Sequence, residues 1–507
     1  MKRPNILLLF SDQQRYDTIG LQNPLIRTPH LDRLAREGML FERAYPPTPV
    51  CLPCRASLVT GLYPSSHRAM HNNCHLPQDH APTLAGCLSQ AGYYTHMVGK
   101  SHLNPVHVPQ SVESMPFTTN RAYYRQWHGP WYGFQHADIN VGHTIENIAC
   151  QCHYGLWLEE RGVRVEDYFV DTAKVKGSYI SYGRWDLPEA HHQSKWVADV
   201  AIEAIERCAD SEQPFFIWAN FADPHNPCVV PDPWASMYAP EQMRGFGFKP
   251  GEPECFTQKP PFYREIMEQP GCFTARPSDP GLPGTEDACR LPWDDRQTRE
   301  NAACYYGMIS LMDHHIGRML DALDRTGLAE NTLVIFSSDH GDCLGDHGFW
   351  HKGILSFEEM LRVPLIVRFP GRVPAGATSR AFQNLVDLPA TLLDYAGVPV
   401  PWSFEGCDQR PNWENPDRSV RIDTVIEDHP YSTDFNERIL ITHTHKLVCF
   451  ANRDYGELYD LVKDPNQIVN LWDDAGSRPV RDRMLARVLS HEMNRRPPAP
   501  VTSLREP

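Results

Sequence analysis

The stretch PVCLPCRASLVTG, residues 49–61, sets two cysteines three apart, with Pro53 between them and Arg55 directly after Cys54. Such a pair admits a redox dithiol, half of a zinc site, two unrelated cysteines, or one special cysteine beside a bystander. No second Cys-x-x-Cys or Cys/His pair of suitable spacing follows nearby, which argues against zinc. Other reactive side chains stand at the ends of apolar runs: Asp12 in PNILLLFSDQQR, Lys100 and His102 in YYTHMVGKSHL, Asp339 and His340 in NTLVIFSSDHGD. His225 in DPHNP and Lys352 in WHKG complete the set. Histidine moves protons near neutral pH. Arginine and lysine gathered in one pocket would let an acidic chain hold a small anion.

These residues need a scaffold that brings them together. PNILLLFSD predicts a buried strand over residues 4–10, and YYTHMVG, PFFIWANF, NTLVIFSSDHGD and VPLIVRF predict further strands. Helices are predicted between them: TPHLDRLAREG with Thr28 as N-cap and Gly38 as stop, PTLAGCLSQAG, SKWVADVAIEAIERCAD, a long helix from about Arg299 to Arg325, and NLVDLPATLLDYAG. This alternation predicts an α/β domain with a largely parallel sheet flanked by helices. Ligands of such sheets sit beyond the carboxyl ends of the strands. Because SDQQ, GKSH and SSDHGD all end strands, their polar residues should converge there. RASLVTG has helical character, so Cys51 is expected just before a helix N-terminus, where unpaired N–H groups favour an anion. Arg55 would return toward the same point one turn later.

The residues also carry a resemblance. CLPCRASLVTG resembles the signature of the formylglycine sulfatases of the alkaline phosphatase superfamily: Cys-x-Pro-x-Arg, then a Leu/Val-Thr-Gly end. PNILLLFSDQQR, TPHLDRLAREGMLFERAY, GYYTHMVGKSHL, ANFADPHNP, VIFSSDHGDCLGDHGFWHKG and ELYDLVKDPNQIVNL are similar to further segments of that family, over nearly the whole chain. The resemblance implies that Cys51 is oxidised by a maturation enzyme to Cα-formylglycine, whose hydrate is the nucleophile, and that Cys54 fills a variable position. It implies one divalent cation held by Asp12, Asp339, His340 and an oxygen of residue 51, with Gln13 a weak ligand or an outer partner. Oxygen-rich ligation favours Ca²⁺, with Mg²⁺ the next hard cation. The Asp339–His340 pair departs from the common Asp-Asn and resembles choline sulfatases and phosphonate monoester hydrolases, which brings in Mn²⁺. By the same resemblance Lys100 and Lys352 bind the sulfate, Arg55 serves the formylglycine, His102 helps collapse the sulfated intermediate, and His225 assists the leaving alcohol. Asn72 is a weaker pocket candidate; His347 and His351 lie near Lys352 without an assigned role.

Composition bounds the rest. The chain has 507 residues, 48 Lys+Arg against 63 Asp+Glu, a net charge of −15, and 45 prolines. That balance argues against a nucleic-acid surface. The N-terminal ILLLF is too short for a signal peptide or a membrane span, and the 15 scattered cysteines suggest free thiols in a reducing cytoplasm. We expect a catalytic domain over 1–415 and a small α+β subdomain over 416–507. Two irregular stretches, aromatic and histidine-rich at 103–190 and proline-rich at 226–296, are expected to form pocket-lining insertions. The expected reaction is hydrolysis of an organic sulfate monoester, small or oligosaccharide, with a carbohydrate sulfate ahead of an aryl sulfate because the aromatics suggest sugar stacking. Two rivals stand beside it. One is a phosphonate monoester or phosphodiester hydrolase of the same fold, disfavoured by the Lys/His pair of GKSH. The other is a non-catalytic binder of sulfated glycans. Homo-oligomerisation is left open.

Overall fold

The run after Pro4 becomes strand β1 (Asn5–Ser11), every residue of which is buried. Its side chains split by period two between two layers: Ile6, Leu8 and Phe10 join one apolar cluster, Leu7 and Leu9 another. A strand buried on both faces needs strands on either side and helices above and below. The computed structural model, which describes residues 3–106, 111–170, 181–243, 246–268, 271–272, 289–291, 293–429 and 436–495, supplies both. Parts of the two expected insertions lie outside the described residues.

The remaining strands of the main sheet are β2 (Met39–Phe41), β3 (Tyr94–Lys100), β4 (His136–Asn140), β5 (Phe215–Asn220), β6 (Thr332–Ser338), β7 (Leu365–Arg368) and β8 (Ala377–Ser379). The order is β8-β2-β7-β6-β1-β5-β3-β4. β1 is parallel to β6 and β5, and β3 to β5 and β4. Only β7 runs against its neighbours, so the largely parallel sheet is as expected. Helices α1 (Pro29–Glu37), α2 (Cys51–Thr60), α3 (Leu84–Gln90), α4 (Gln193–Ala209), α5 (Asp295–Arg325) and α6 (Leu388–Tyr395) cover it. Leu52 of α2, Leu84 of α3 and Leu388 of α6 pack on one face; Leu31 of α1, Trp196 of α4 and Met312 of α5 pack on the other.

Two sequence expectations are corrected here. The long helix α5 begins at Asp295, one turn before the expected Arg299. Asp294 accepts from the Gln297 N–H at 2.8 Å and the Gln297 side chain accepts from the Asp294 N–H at 3.1 Å, a reciprocal cap that satisfies two otherwise unpaired donors. The stretch 103–190 is not only an insertion, because its residues His136–Asn140 form the edge strand β4 of the main sheet. Several of its aromatics also go to the core: Tyr124, Trp131, Tyr132 and Phe134 are buried in the cluster beneath the sheet, and Phe134 stacks on Phe216 at 5.4 Å between centroids.

Beyond residue 416 an antiparallel sheet forms from β9 (Thr424–Asp428), β10 (Glu437–Ile441), β11 (His445–Phe450) and β12 (Gly456–Asp460), with helix α7 (Arg478–Met493) against it. RILITHTHKLVCF, which reads as one apolar run, is a hairpin in which the Thr442 N–H donates to the His445 carbonyl at 2.9 Å. Val425, Leu440, Leu447 and Leu458 meet Met484 and Val488 in a separate small core. Among the described residues no helix is long and apolar enough to cross a membrane.

Candidate active site

Strand register sets the first contacts. Ser11 on β1 lies opposite Ser338 on β6, so Asp12 and Asp339 emerge side by side where the two parallel strands end. Lys100 is the last residue of β3, reached through Gly99 at φ +92°, where a Cβ would come within 1.9 Å of the Asn220 carbonyl. Only glycine allows β3 to pass β5 that closely.

Helix α2 brings the nucleophile candidate. Cys51 is the first helical residue rather than the residue before the helix, with Val50 in the cap position. The reason is local: Pro53 tolerates the first turn because the N–H it lacks has no helical partner there. The Leu52 N–H donates to Asn72 Oδ1 at 3.2 Å, which places Asn72 at this helix end beside Cys51. Every residue of α2 is buried, and Gly61 ends it in the left-handed region at φ +68°. Arg55, one turn in, does return to the site as expected.

The charged groups interlock. Arg55 Nη2 lies 3.2 Å from Asp12 Oδ2 and 3.0 Å from Asp339 Oδ2, and its Nη1 donates to Asn220 Oδ1 at 3.0 Å and to the Lys100 carbonyl at 2.9 Å. The Lys100 ammonium pairs with Asp12 Oδ2. Cys51 Sγ sits 3.1 Å from His340 Nε2 and 3.7 Å from Asp12 Oδ1. Lys352 Nζ reaches Cys51 Sγ, Gln13 Oε1 and His225 Nε2, each at 2.9 Å. The Gln13 amide nitrogen in turn donates to Asn226 Oδ1 at 3.1 Å and to Asp342. Asp12, Cys51, Asp339 and His340 each present a ligand atom within 4.8 Å of the others.

Two hydrogen bonds fix imidazole tautomers, since a carbonyl can only accept. His340 Nδ1 donates to the Gly341 carbonyl at 2.8 Å, which leaves the Nε2 lone pair facing Cys51. Orienting a ring through its other nitrogen is how proteins present a metal-binding imidazole. His225 Nδ1 donates to the Asn226 carbonyl at 2.6 Å, so its Nε2 accepts from Lys352. His102 is half-buried, adopts φ +49°, and its buried Nδ1 has no partner among the described residues.

Burial would push the Asp12 carboxyl up, but Lys100, Arg55 and Lys352 together hold it well below the usual carboxylate range. Burial and the neighbouring lysines push His225 and His102 well down, so both are neutral at working pH. Burial, reinforced by Asp12, pushes the Cys51 thiol up against the pull of Lys352. An unmodified Cys51 is therefore a protonated, poor nucleophile.

Some participants carry no sequence signal of their own. His143 stacks on His225 with ring centroids 3.5 Å apart, touches the Lys100 ammonium, and is oriented by Glu146 Oε2 at 3.1 Å from its Nδ1. It comes from the loop after β4 and could be found only by knowing that β4 lies beside β3. Asn220 and Asp342 were likewise unassigned, although Asp342 lies inside SSDHGD. His347 turns away to Glu252, 2.6 Å from its Nδ1.

Against this geometry the similarities are informative. Residues 4–398 match the model of the family described as Sulfatase, and residues 345–494 match N-sulphoglucosamine sulphohydrolase, C-terminal. The chain belongs to the sulfatase family. As such it is a hydrolase of the alkaline phosphatase superfamily, in the class that cleaves sulfuric esters. An arylsulfatase of Clostridium perfringens is 31% identical over 476 residues, covering 92% of this chain and 90% of that one. An N-acetylglucosamine-6-O-sulfatase of Bacteroides thetaiotaomicron is 25% identical, covering 94% and 83%. Among solved structures, the phosphonate monoester hydrolase of Agrobacterium radiobacter superposes with a TM-score of 0.78 at 26% identity, covering 97% of this chain and 96% of that one.

Proposed function

We propose that this sulfatase hydrolyses an organic sulfate monoester at Cys51 after a maturation enzyme has converted that residue to formylglycine. The observation that carries the reading is the convergence on Cys51 of Lys352, the two-carboxylate and imidazole set Asp12, Asp339 and His340, and the Arg55–Lys100 cations behind them. This donor set suits a divalent cation: it is oxygen-rich, compact, and its histidine is oriented by a backbone carbonyl. Ca²⁺ is the assignment we favour over Mg²⁺ and Mn²⁺. When bound, such an ion withdraws charge from a sulfuryl oxygen and favours the ionised form of a neighbouring hydroxyl. A hydrated formylglycine offers two geminal hydroxyls, one to attack sulfur and one whose ionisation later expels sulfate, where a thiol has no such exit.

The side chains then divide the work. Lys100 and Lys352 bind sulfate oxygens and offset the charge that develops in transfer. Arg55 fixes both carboxylates in place. Lys352 and His225 hold a proton between Nζ and Nε2, 2.9 Å apart, and are proposed to deliver it to the departing alcohol oxygen. His102, neutral and with a free buried nitrogen, serves as base for residue 51. Gln13, with its carbonyl on Lys352, is proposed to orient that lysine in addition to any part in ligation. Asn72 is proposed to steady the N-terminus of α2.

For the substrate we favour a carbohydrate sulfate, on the strength of the N-acetylglucosamine-6-O-sulfatase relative, with an aryl sulfate next, as in the Clostridium relative. Sugar stacking on residues 103–190 no longer supports this choice, since Tyr124, Trp131, Tyr132 and Phe134 are buried in the core. The likeness to a phosphonate monoester hydrolase keeps a second reading in view. Parallel kcat/KM values on 4-nitrophenyl sulfate, sulfated mono- and disaccharides, choline sulfate and a phenyl phosphonate ester decide between them. We expect sulfates to be preferred; a larger kcat/KM for the phosphonate overturns the reading. Intact mass of protein co-expressed with a maturation enzyme tests the nucleophile, because a Cys51 left as thiol in active protein would remove it.

A further inference from the structure

Outside the catalytic centre the edge of the main sheet carries an unusual group of imidazoles. His96 on β3 and His136 on β4 are direct cross-strand partners, so their side chains leave the same face of adjacent parallel strands. Asp138 lies two residues beyond His136 on β4 and therefore on that face too. Its Oδ2 is 2.8 Å from His96 Nε2 and 3.2 Å from His136 Nε2, and the two rings stand at 89° with centroids 4.5 Å apart. The ligand atoms of His96, His136 and Asp138 all fall within 4.8 Å of one another.

The surrounding contacts arrange these groups further. His128 Nδ1 lies 2.7 Å from the other carboxylate oxygen, Asp138 Oδ1, and its ring stacks on His136 at 5.0 Å. Tyr94 Oη lies 3.4 Å from His96 Nδ1, the nitrogen that faces away from Asp138. The fourth imidazole nearby, His153, is committed elsewhere: its Nε2 donates to the Trp127 carbonyl at 2.8 Å and its Nδ1 accepts from the Ile139 N–H at 2.9 Å. Burial grades outward, from a fully buried His96 side chain through Asp138 at 13% exposure to His136 at 29%. The group is therefore open to solvent on one side and enclosed on the other.

We infer that His96, His136 and Asp138 form a second metal site, for Zn²⁺ or a similar borderline divalent cation, that clamps the edge strand β4 to β3. Two imidazole nitrogens and one carboxylate oxygen are a usual three-ligand zinc set, completed by water on the exposed side. The imidazole-rich donors select a different ion from the oxygen-rich catalytic centre. His128 and Tyr94 act as the outer partners that hold the carboxylate and the His96 ring in orientation. The two centres are separate, because His96 precedes Lys100 by four residues on one strand, about 13 Å at about 3.3 Å per residue. Binding would stabilise β4, the strand that leads into His143.

The test uses untagged full-length protein stripped with a chelator and then titrated with Zn²⁺ against a competing chromophoric chelator of about micromolar affinity. Wild type is expected to take up one Zn²⁺ more than His136→Ala, which keeps its sulfatase activity. Asp138→Asn, a near-isosteric change, is expected to lose the same equivalent, and provides the reading if His136→Ala does not fold. His128→Ala should retain the ion with roughly 10- to 100-fold weaker affinity. Added Zn²⁺ should also raise the thermal midpoint of wild type but not of the two ligand variants. Equal zinc uptake by wild type and either folded ligand variant, or no uptake by wild type against the competitor, overturns the inference.

Discussion

Cys51 and Cys54 differ in surroundings more than in sequence. Lys352, His340 and Asp12 face Cys51, whereas Cys54 is a buried helix residue in the apolar cluster beneath the sheet. Cys51→Ala should abolish sulfate-ester hydrolysis, and Cys54→Ala should leave kcat/KM within a few-fold of wild type; equal losses in both would sink the assignment. The Lys352–His225 proton pair yields a finer test. Removing a general acid costs on the order of 10²- to 10⁴-fold when the leaving group needs a proton. His225→Ala should therefore slow hydrolysis of an alkyl or sugar sulfate far more than that of 4-nitrophenyl sulfate, whose leaving group departs as an anion. A loss independent of leaving-group pKa would assign His225 to binding instead. Asp12, Lys100 and Asp339 are legible in the sequence because each sits at a strand end or directly after one, whereas Lys352, in the loop between β6 and β7, is legible only through the resemblance of its motif. His143 and Asn220 are not, because their roles depend on which strands lie side by side, which no local spacing encodes.

At the scale of elements, the reactive helix α2 is held from both ends. Gly61 closes it at φ +68°, and a Cβ there would come within 2.5 Å of the Phe404 ring. Gly61→Ala combines left-handed strain with that clash and should cost about 1–3 kcal/mol, read by denaturant titration. His67, on the next turn of chain, gives the helix a pH dependence. The Ala69 N–H donates to His67 Nδ1 at 3.1 Å, so its protonated Nε2 reaches Ser57 Oγ on α2 at 3.0 Å. Burial lowers this imidazole from its ordinary 6.5 to about 3. The unfolded chain then binds the extra proton below pH 6.5 and the folded chain does not, so the contribution is complete above that pH and is lost as pH falls toward 3. Between about pH 6 and 4, wild type should lose stability faster than His67→Gln by about 1.4 kcal/mol per pH unit, and parallel slopes would refute the linkage. The apolar strands and amphipathic helices of this layer follow directly from sequence period. Strand β4 does not, since HADIN is short, polar at both ends and embedded among aromatics that pack beneath it.

Across the whole molecule, strand β9 of the C-terminal subdomain braces the segments that carry the site. On β9 the Glu427 N–H donates to the Pro47 carbonyl, four residues before Cys51, at 2.8 Å. The Glu427 carboxylate accepts from the Ser65 N–H at 2.8 Å and from Ser65 Oγ at 2.9 Å, in the helical turn after α2. The adjacent Asp428 accepts from the Ile354 N–H at 2.8 Å, two residues after Lys352. One strand thus ties down the segments that carry Cys51 and Lys352, whose Sγ and Nζ lie 2.9 Å apart. Burial would raise the Glu427 pKa, but Arg495, 2.6 Å away, and Arg438 hold it low. Because that folded pKa is depressed, the brace is complete above the ordinary 4.5 and is lost only as pH falls below it. Glu427→Ala leaves the largely buried Arg495 with only its longer pair to Glu492 at 3.7 Å, a loss worth about 1–3 kcal/mol. The double variant Glu427→Ala/Arg495→Met removes that poorly paired charge and should regain part of that stability. It should not regain turnover, because the backbone bond to Pro47 survives but the Ser65 N–H and hydroxyl still lack the Glu427 carboxylate, so the turn that follows α2 is no longer tied to β9. Measured at a temperature where both variants are folded, recovery of stability and kcat together would show that the strand supports the fold alone; recovery of stability without kcat would show that it positions the site.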